Sequence, residues 1–364
     1  EYYNIIHGNG GFDVIIGNPP YVVYTDNAFS YAINDNYTTK GCANLYAFCV
    51  ERCQTIINTR SRFGMIIPNS SISAAKMIPL QKILTLKGNT WISNYSWRPS
   101  KLFEGADMLL AIILKNVEND NKIFSSIYHK WYNQYRPQLF MVIRYNDVTN
   151  ICIDGSIPKM PSYCAQQILK DLSTKSAHHL LGEAFRESKK YHLYYFRAVQ
   201  YWFKVLDREP IYDENGVHKT TGEMKPIGFD SEKERNVVIA LLSSSLFFLH
   251  YIIWSSCQVV NSRDFNIPFD IKSLSVDNYT RLSILGEKLQ HDYQKNSHIK
   301  TRNYSKKGRT FTMQKQHFFI KFSKSIIDEI DKVLAKHYGF TEEELDFIIN
   351  YDIKYRMGDE LNEE

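Results

Sequence analysis

The chain has no run of about 18 apolar residues, the length a membrane-spanning helix needs. Its most apolar stretch, Leu246 to Trp254, is interrupted by His250, so no membrane partner is expected. The opening residues Glu1-Tyr2-Tyr3-Asn4 do not read as a signal peptide. Cysteine is scarce. Six residues without a short-spaced pattern point to reduced thiols in a cytoplasm rather than a disulfide scaffold. Cys49 and Cys53 share a helix face, but no histidine pair stands at zinc spacing nearby, so no metal is expected. Internal repeats, low-complexity tracts and a carboxylate–lysine nuclease constellation are also missing. One absence is local: residues 295–324 hold nine Lys or Arg and no Asp or Glu.

What is present is ordinary for a soluble globular chain, with 44% hydrophobic and 23% charged residues. A length of 364 residues allows two or three domains. Aromatics are abundant, with 25 Tyr and 21 Phe, which suits base stacking as well as a core. The net charge of +5 matters less for a nucleic-acid partner than where the charge sits.

The most informative stretch is Phe12-Asp13-Val14-Ile15-Ile16-Gly17-Asn18-Pro19-Pro20-Tyr21. Val14 to Ile16 is a β-branched apolar run ended by glycine, which predicts a buried, parallel strand. Two prolines then fix φ and stop the ladder, and Pro19 drives Asn18 toward an extended backbone. The result is a stiff tip at the carboxyl end of a strand, where open α/β sheets place ligands. The Asn18 side-chain oxygen and the Pro19 carbonyl can both accept from a planar NH₂ group, and Tyr21 can stack on the attached ring. Holding both N–H bonds localises the nitrogen lone pair. It speeds a reaction only if those bonds strengthen as positive charge develops.

This tip resembles motif IV of the gamma-class, S-adenosylmethionine-dependent N6-adenine DNA methyltransferases of restriction–modification systems. Two further blocks are similar to that family in order and spacing. One is Gly41-Cys42-Ala43-Asn44-Leu45-Tyr46-Ala47-Phe48, a helix, and Phe63-Gly64-Met65-Ile66-Ile67-Pro68-Asn69-Ser70. The other is Leu102-Phe103-Glu104-Gly105 followed by Leu109 to Lys115. The resemblance is specific over about the first 115 residues. It implies an α/β fold: the second half of a Rossmann-like methyltransferase sheet, then a mixed α/β target-recognition domain and a helical tail. It also implies S-adenosyl-L-methionine as cofactor, with Asn18 beside it. Asn18, Pro19, Pro20 and Tyr21 would be catalytic, and Tyr21 and Phe103 would stack on the two faces of a flipped adenine. The family's glycine-rich cofactor loop lies upstream of this point. Gly8-Asn9-Gly10-Gly11 has no strand before it and no helix after it, so it reads as a turn into the strand. The amino-terminal half of the catalytic domain is therefore expected to lie outside these residues.

Along the chain, residues 22–40 read as a polar loop, and Leu45 to Ile57 as a helix with an apolar stripe. Phe63 to Ile67 is a buried strand, Ala74 to Leu86 a helix started late by Pro79, and Trp91 to Trp97 a strand. Met108 to Leu114 is expected to close the half-sheet, with added strands at Ile123 to Trp131 and Leu139 to Tyr145 and a short helix at Ile168 to Leu172. This gives a catalytic half-domain with connector over 1–175, a DNA target-recognition domain over 176–275, and a basic loop with carboxyl-terminal helices over 276–364. Val237 to Trp254 reads as one long buried helix, and Asp213 to Gly222 as a hairpin tip. Ile326 to Tyr338 predicts an amphipathic helix stopped at Gly339, and Thr341 to Glu344 a capping box. Cations interleaved with rings mark the expected DNA contacts: Lys189, Lys190, Arg197, Lys204, Arg263, Lys300, Arg302, Lys306, Lys307 and Arg309.

The reaction this implies is methyl transfer to adenine N6 in a specific duplex site, with double-stranded DNA as partner. Flipping the base costs a few kcal/mol, and stacking returns roughly 1–3 kcal/mol per face. No strong general base is needed, because the amine loses its proton after attack. Further partners are the missing amino-terminal half or a cognate restriction subunit. Other readings stay open: a DNA-binding specificity fragment without catalysis of its own, a protein-glutamine methyltransferase, or part of a fused restriction endonuclease–methyltransferase.

Overall fold

The computed structural model describes residues 2–25, 29–105, 107–117, 120–153, 155–176, 179–185, 190–306 and 308–358. The chain forms two compact units, Glu1–Tyr163 with Ile252–Gln258, and Cys164–Tyr251 with Val259–Glu364. Mixed α/β architecture, several sheets and a helical tail agree with the fold class expected from the sequence.

The first unit carries strands β1 (Phe12–Gly17), β2 (Ile57–Pro68), β3 (Thr90–Tyr95), β4 (Leu110–Asn116), β5 (Ile123–His129) and β6 (Tyr145–Asp147). Its helices are α1 (Tyr2–His7), α2 (Leu45–Ile56), α3 (Ser70–Ser73) and α4 (Ile78–Thr85). The strands form one mixed sheet in the order β1-β2-β4-β3-β5-β6. β1 is parallel to β2 and β3 to β5, whereas β4 is antiparallel to both its neighbours. β4 therefore lies inside the sheet and does not close it. Its Leu110, Ala111 and Ile113 are all buried, as suits a strand covered on both faces.

β1 departs from expectation in the opposite sense. It pairs with β2 and, among the described residues, with nothing on its other edge. Val14 is 62% and Ile16 80% exposed. The β-branched run makes a strand, but nothing described here covers it. Gly11 enters this strand at φ +127°, and a Cβ there would lie 2.7 Å from the Ile56 carbonyl oxygen. That crowding is why the Gly8–Gly11 stretch turns tightly into β1 beside the end of α2.

Other elements sharpen the reading. α2 forms as expected, but its most buried side chains are Tyr46, Ala47, Phe48 and Val50 rather than the whole predicted stripe. Pro79 sits in the first turn of α4, where its missing N–H has no helical partner to lose. Leu139 to Tyr145 is not a strand. Residues 133–138 form a 3₁₀ turn, Phe140, Met141 and Val142 are exposed, and only Tyr145–Asp147 pairs with β5.

The second unit holds β7 (Tyr191–Phe196), β8 (Val205–Leu206), β9 (Tyr212–Glu214), β10 (Val217–His218), β11 (Met224–Phe229), β12 (Ser297–Lys306) and β13 (Arg309–Phe318). They form a sheet β10-β9-β13-β12 and a sheet β11-β7-β8. The helices are α5 (Tyr163–Lys175), α6 (Glu232–Ser243), α7 (Ser245–Trp254), α8 (Val276–Lys295), α9 (Lys324–Tyr338), α10 (Glu342–Asn350) and α11 (Ile353–Arg356). Tyr163 and the last turn of α7 group with the first unit.

The expected long helix over Val237 to Trp254 is broken. Ser244 is extended (φ −69°, ψ 157°), and α6 and α7 meet at 62°. The break exposes the first N–H groups of α7, and the buried Asp331 carboxylate accepts from Ser245 and Leu246 at 3.2 Å each. Burial pushes that carboxyl up to about 6. Arg356, with no solvent exposure, lies over the rings of Trp202 and Phe248 and donates to Ser245 Oγ. The basic segment is not a loop but the β12–β13 hairpin, paired from Ser297↔Phe318 to Lys306↔Arg309. Gly339 ends α9 in the left-handed region, and the Thr341–Glu344 capping box opens α10. Among the described residues no single helix is long and apolar enough to cross a membrane.

Candidate functional site

The candidate site lies in the first unit, where β1 delivers its carboxyl end to Asn18-Pro19-Pro20-Tyr21. Asn18 and Pro20 are exposed, while Pro19 and Tyr21 are half-buried. The chain is held in place just beyond the tip. Val23 bridges Asn44, Tyr24 N–H donates to the Ala43 carbonyl, and Leu45 N–H donates to the Val22 carbonyl. The segment 22–40, expected as a loop, has a small core of its own around Tyr24. That residue is 4% exposed, its ring stacks on Phe29, and its hydroxyl oxygen accepts a hydrogen bond from Ile33 N–H. Thr38 and Thr39 donate four hydrogen bonds to Glu51 on α2. Burial alone would raise the Glu51 carboxyl; these bonds outweigh it and hold it low.

Tyr21 is fixed from three sides. Its ring meets Tyr46 edge-on at 6.2 Å. Its hydroxyl lies 2.8 Å from the Ile66 carbonyl of β2 and beside the Asn18 side-chain amide. Burial pushes the phenol up to about 12, so it stays a donor at neutral pH. One hydroxyl proton can serve one acceptor. The contact to Asn18 has the length of an O–H···O bond, so Tyr21 donates to Asn18 Oδ1, and the Ile66 carbonyl is its alternative acceptor. Asn18 Oδ1 keeps a second lone pair for another donor.

Tyr21 and Phe103 both pack on one buried cluster, Tyr95, Leu102, Leu110, Trp131 and Leu139. The two rings singled out in the sequence, 82 positions apart by number (103 − 21), thus share a platform in the fold. Two residues given no role from sequence support this rim. Asn69, after β2, and Asn94, in β3, have no solvent exposure. Asn69 donates to Asn94 Oδ1 at 3.2 Å, and Asn94 donates to Ser126 O at 3.0 Å. Asn69 N–H also holds the Leu109 carbonyl just before β4. A polar residue inside the apolar alternation Ile92-Ser93-Asn94-Tyr95 was the available signal. What this arrangement offers chemically is an amide oxygen with a lone pair to spare, proline carbonyls without competing N–H groups, and two supported rings.

The cations expected to meet DNA belong to the second unit. Lys189 and Lys307 lie outside the described residues. Lys306 ends β12. Lys190 is exposed beside the Tyr191 ring, Arg197 follows β7, and Arg263 lies in a 3₁₀ turn at Ser262–Phe265. Lys300 and Arg302 are on β12, and Arg309 opens β13 paired with Glu214 at 2.5 Å. Lys204, Lys300 and Arg302 come together, since all three act on His317 of β13. Lys190 and Arg263 are not among the groups acting there. Of the interleaved rings, Tyr201, Trp202 and Phe203 are buried and serve the core.

Residues 1–103 match the family model of the Eco57I restriction-modification methylase. No curated protein matches the chain. Among solved structures, the type IIL restriction-modification enzyme MmeI in complex with DNA is 10% identical, with a TM-score of 0.49 over 100% of this chain and 59% of that one. A nuclease-deletion mutant of the type ISP enzyme LlaGI in complex with a DNA substrate mimic is 12% identical, with a TM-score of 0.40 over 84% of this chain and 46% of that one. The type IIG restriction endonuclease BpuSI is 9% identical, with a TM-score of 0.31 over 96% and 54%. The chain spans about half the length of these structures.

Proposed function

We propose, from a chain whose first 103 residues match a restriction-modification methylase, that it supplies the amine-binding wall and the DNA-directed part of an adenine-N6 DNA methyltransferase. The observation that carries this reading is the Asn18–Tyr21 tip, tied by Tyr21 to Ile66 and sharing with Phe103 one buried cluster. The Asn18 oxygen and the Pro19 carbonyl accept the two N–H bonds of an adenine amine turned out of its duplex. The rings of Tyr21 and Phe103 offset the unstacking cost at roughly 1–3 kcal/mol per face. S-adenosylmethionine, the methyl donor this reading requires, supplies an electrophilic methyl group when bound.

The residues described here do not make that cofactor's pocket by themselves. The Gly8–Gly11 turn follows α1 and enters β1, whereas a cradle for an adenosyl group needs a strand before its glycines and a helix after them. The open, apolar edge of β1, with Val14 and Ile16 exposed, is where a further strand would complete the sheet. The basic β12–β13 hairpin of the second unit holds the double-stranded DNA.

In the complete enzyme, Asn18→Ala should abolish transfer of labelled methyl groups to DNA while leaving DNA affinity unchanged. Retained turnover would sink the assignment.

A further inference from the structure

The second unit contains a cleft of about 500 Å³ that the site above does not use. Its chemistry is lopsided. Four cations line it, Lys204, Arg302, Lys315 and Lys321, against one carboxylate, Glu223. Flat rings line it as well. Tyr212 has Lys315 Nζ 4.9 Å from its centroid, Phe196 has Lys204 Nζ at 5.1 Å, and Phe319 is stacked on His298 at 4.9 Å. His317 also lines the cleft and reports its field. Burial first, then Lys300, Lys204, His298 and Arg302, push its imidazole down to about 4.

These features select an occupant. A cation would meet a net charge of +3 (four cations less Glu223). A purely apolar ligand would strip water from lysines and an arginine, which is costly. An anion joined to a flat ring satisfies both halves. The volume falls within the range of small-molecule sites, about 300–1,000 Å³. It admits one nucleotide and not a duplex.

We propose that this cleft is a nucleotide site that takes one unpaired nucleotide of a DNA strand, its phosphate on Lys204, Arg302 and Lys315 and its base against Tyr212 and Phe319. That the strand is DNA rests on the function proposed above; the preference for a nucleotide rests on the cleft alone. Such a site would hold a nucleotide extruded or unpaired when the duplex is distorted.

The test uses the full chain and a short fluorescein-labelled single strand, with dAMP and inorganic phosphate as competitors. Lys315→Gln and Tyr212→Ala should each weaken strand binding about tenfold, from one lost phosphate contact or one lost stack. Tyr212→Phe, which keeps the ring, should bind like the parent. By NMR, bound strand should raise the His317 pKa, because the phosphate neutralises the cations that depress it. Unchanged affinity in Lys315→Gln and Tyr212→Ala, or a His317 titration that does not move at saturating strand, overturns the proposal. Equal affinity for dAMP and the strand overturns the strand as the source. If the complete enzyme methylates DNA but the cleft variants bind normally, the cleft fails alone. If the cleft binds as expected but the complete enzyme transfers no methyl group to DNA, the cleft stands and the function proposed above fails.

Discussion

Tyr21→Phe separates the two roles the site gives this side chain. The ring survives, with its edge contact to Tyr46 and its seat on the Tyr95–Leu110 cluster. The hydroxyl, 2.8 Å from the Ile66 carbonyl and beside the Asn18 amide, is lost. Tyr21 is half-buried and Asn18 exposed, so water reaches the vacated amide. The stability loss should be that of an ordinary hydrogen bond, about 1 kcal/mol. The catalytic loss follows from freedom. Three χ1 wells and two amide orientations give an untethered asparagine about six states. If one of them presents Oδ1 to the amine, releasing Asn18 cuts the productive fraction up to about sixfold, or roughly 1 kcal/mol in the barrier. Affinity for DNA should not change, because stacking is kept. Single-turnover methylation by the complete enzyme, with and without the substitution, measures this. Because burial pushes the phenol up to about 12, the ratio of the two rates should be constant between pH 6 and 9. A Tyr21→Phe rate equal to the parent would refute the tether. A ratio that changes with pH across that range would refute the buried, protonated hydroxyl.

Phe103→Ala in the complete enzyme should destabilise an extruded base by roughly 1–3 kcal/mol. It would show as a smaller fluorescence rise from 2-aminopurine at the target position, and an undiminished rise would count against the clamp. His250 is buried with its pKa pushed down to about 3 by desolvation. The unfolded chain therefore binds its proton first as pH falls below about 6.5, and this residue costs about 2 kcal/mol of stability at pH 5. Asp331, pushed up to about 6 by burial, works the other way, since the folded carboxyl takes a proton before the unfolded one. It returns roughly 1 kcal/mol at the same pH. In urea titrations at pH 7 and pH 5, acidification should stabilise His250→Leu, where only the Asp331 gain is left, and should destabilise Asp331→Asn more than the parent; the reverse order would refute these assignments. Gly286→Ala on α8 should destabilise the second unit by about 1–3 kcal/mol, because a Cβ there would collide with the Asn236 carbonyl of α6. A melting temperature equal to the parent's would show that the two helices can separate without cost.

The end of β1 at Gly17 and the turn into Asn18 to Tyr21 were legible because prolines, glycine and β-branched residues act through their own backbones, whatever surrounds them. The same holds for the caps at Gly339 and Thr341, where the signal spans a few residues. Misreadings arose where the outcome depended on a distant partner. Val14 to Ile16 has the composition of a covered strand, yet cover is supplied by other segments, and none described here lies over Val14 or Ile16. Met108 to Leu114 gave a strand but not its place, because order in a sheet is set by which edges meet. The helix over Val237 to Trp254 broke at Ser244, where a carboxylate from Asp331, 87 positions away by number (331 − 244), competes for the N–H groups a continuous helix would use. The basic stretch 295–324 shows the same logic. Its charge is visible in composition, but its hairpin depends on a ten-pair register between Ser297 and Phe318. That register puts Arg302 and Lys315 on one cleft with Lys204, a residue from another part of the chain. Charge counted along the sequence marks a surface. Only pairing turns it into a site of nucleotide size, and for that reason the Tyr21 hydroxyl and the cleft cations, rather than the motif alone, are the groups whose substitution decides between the readings.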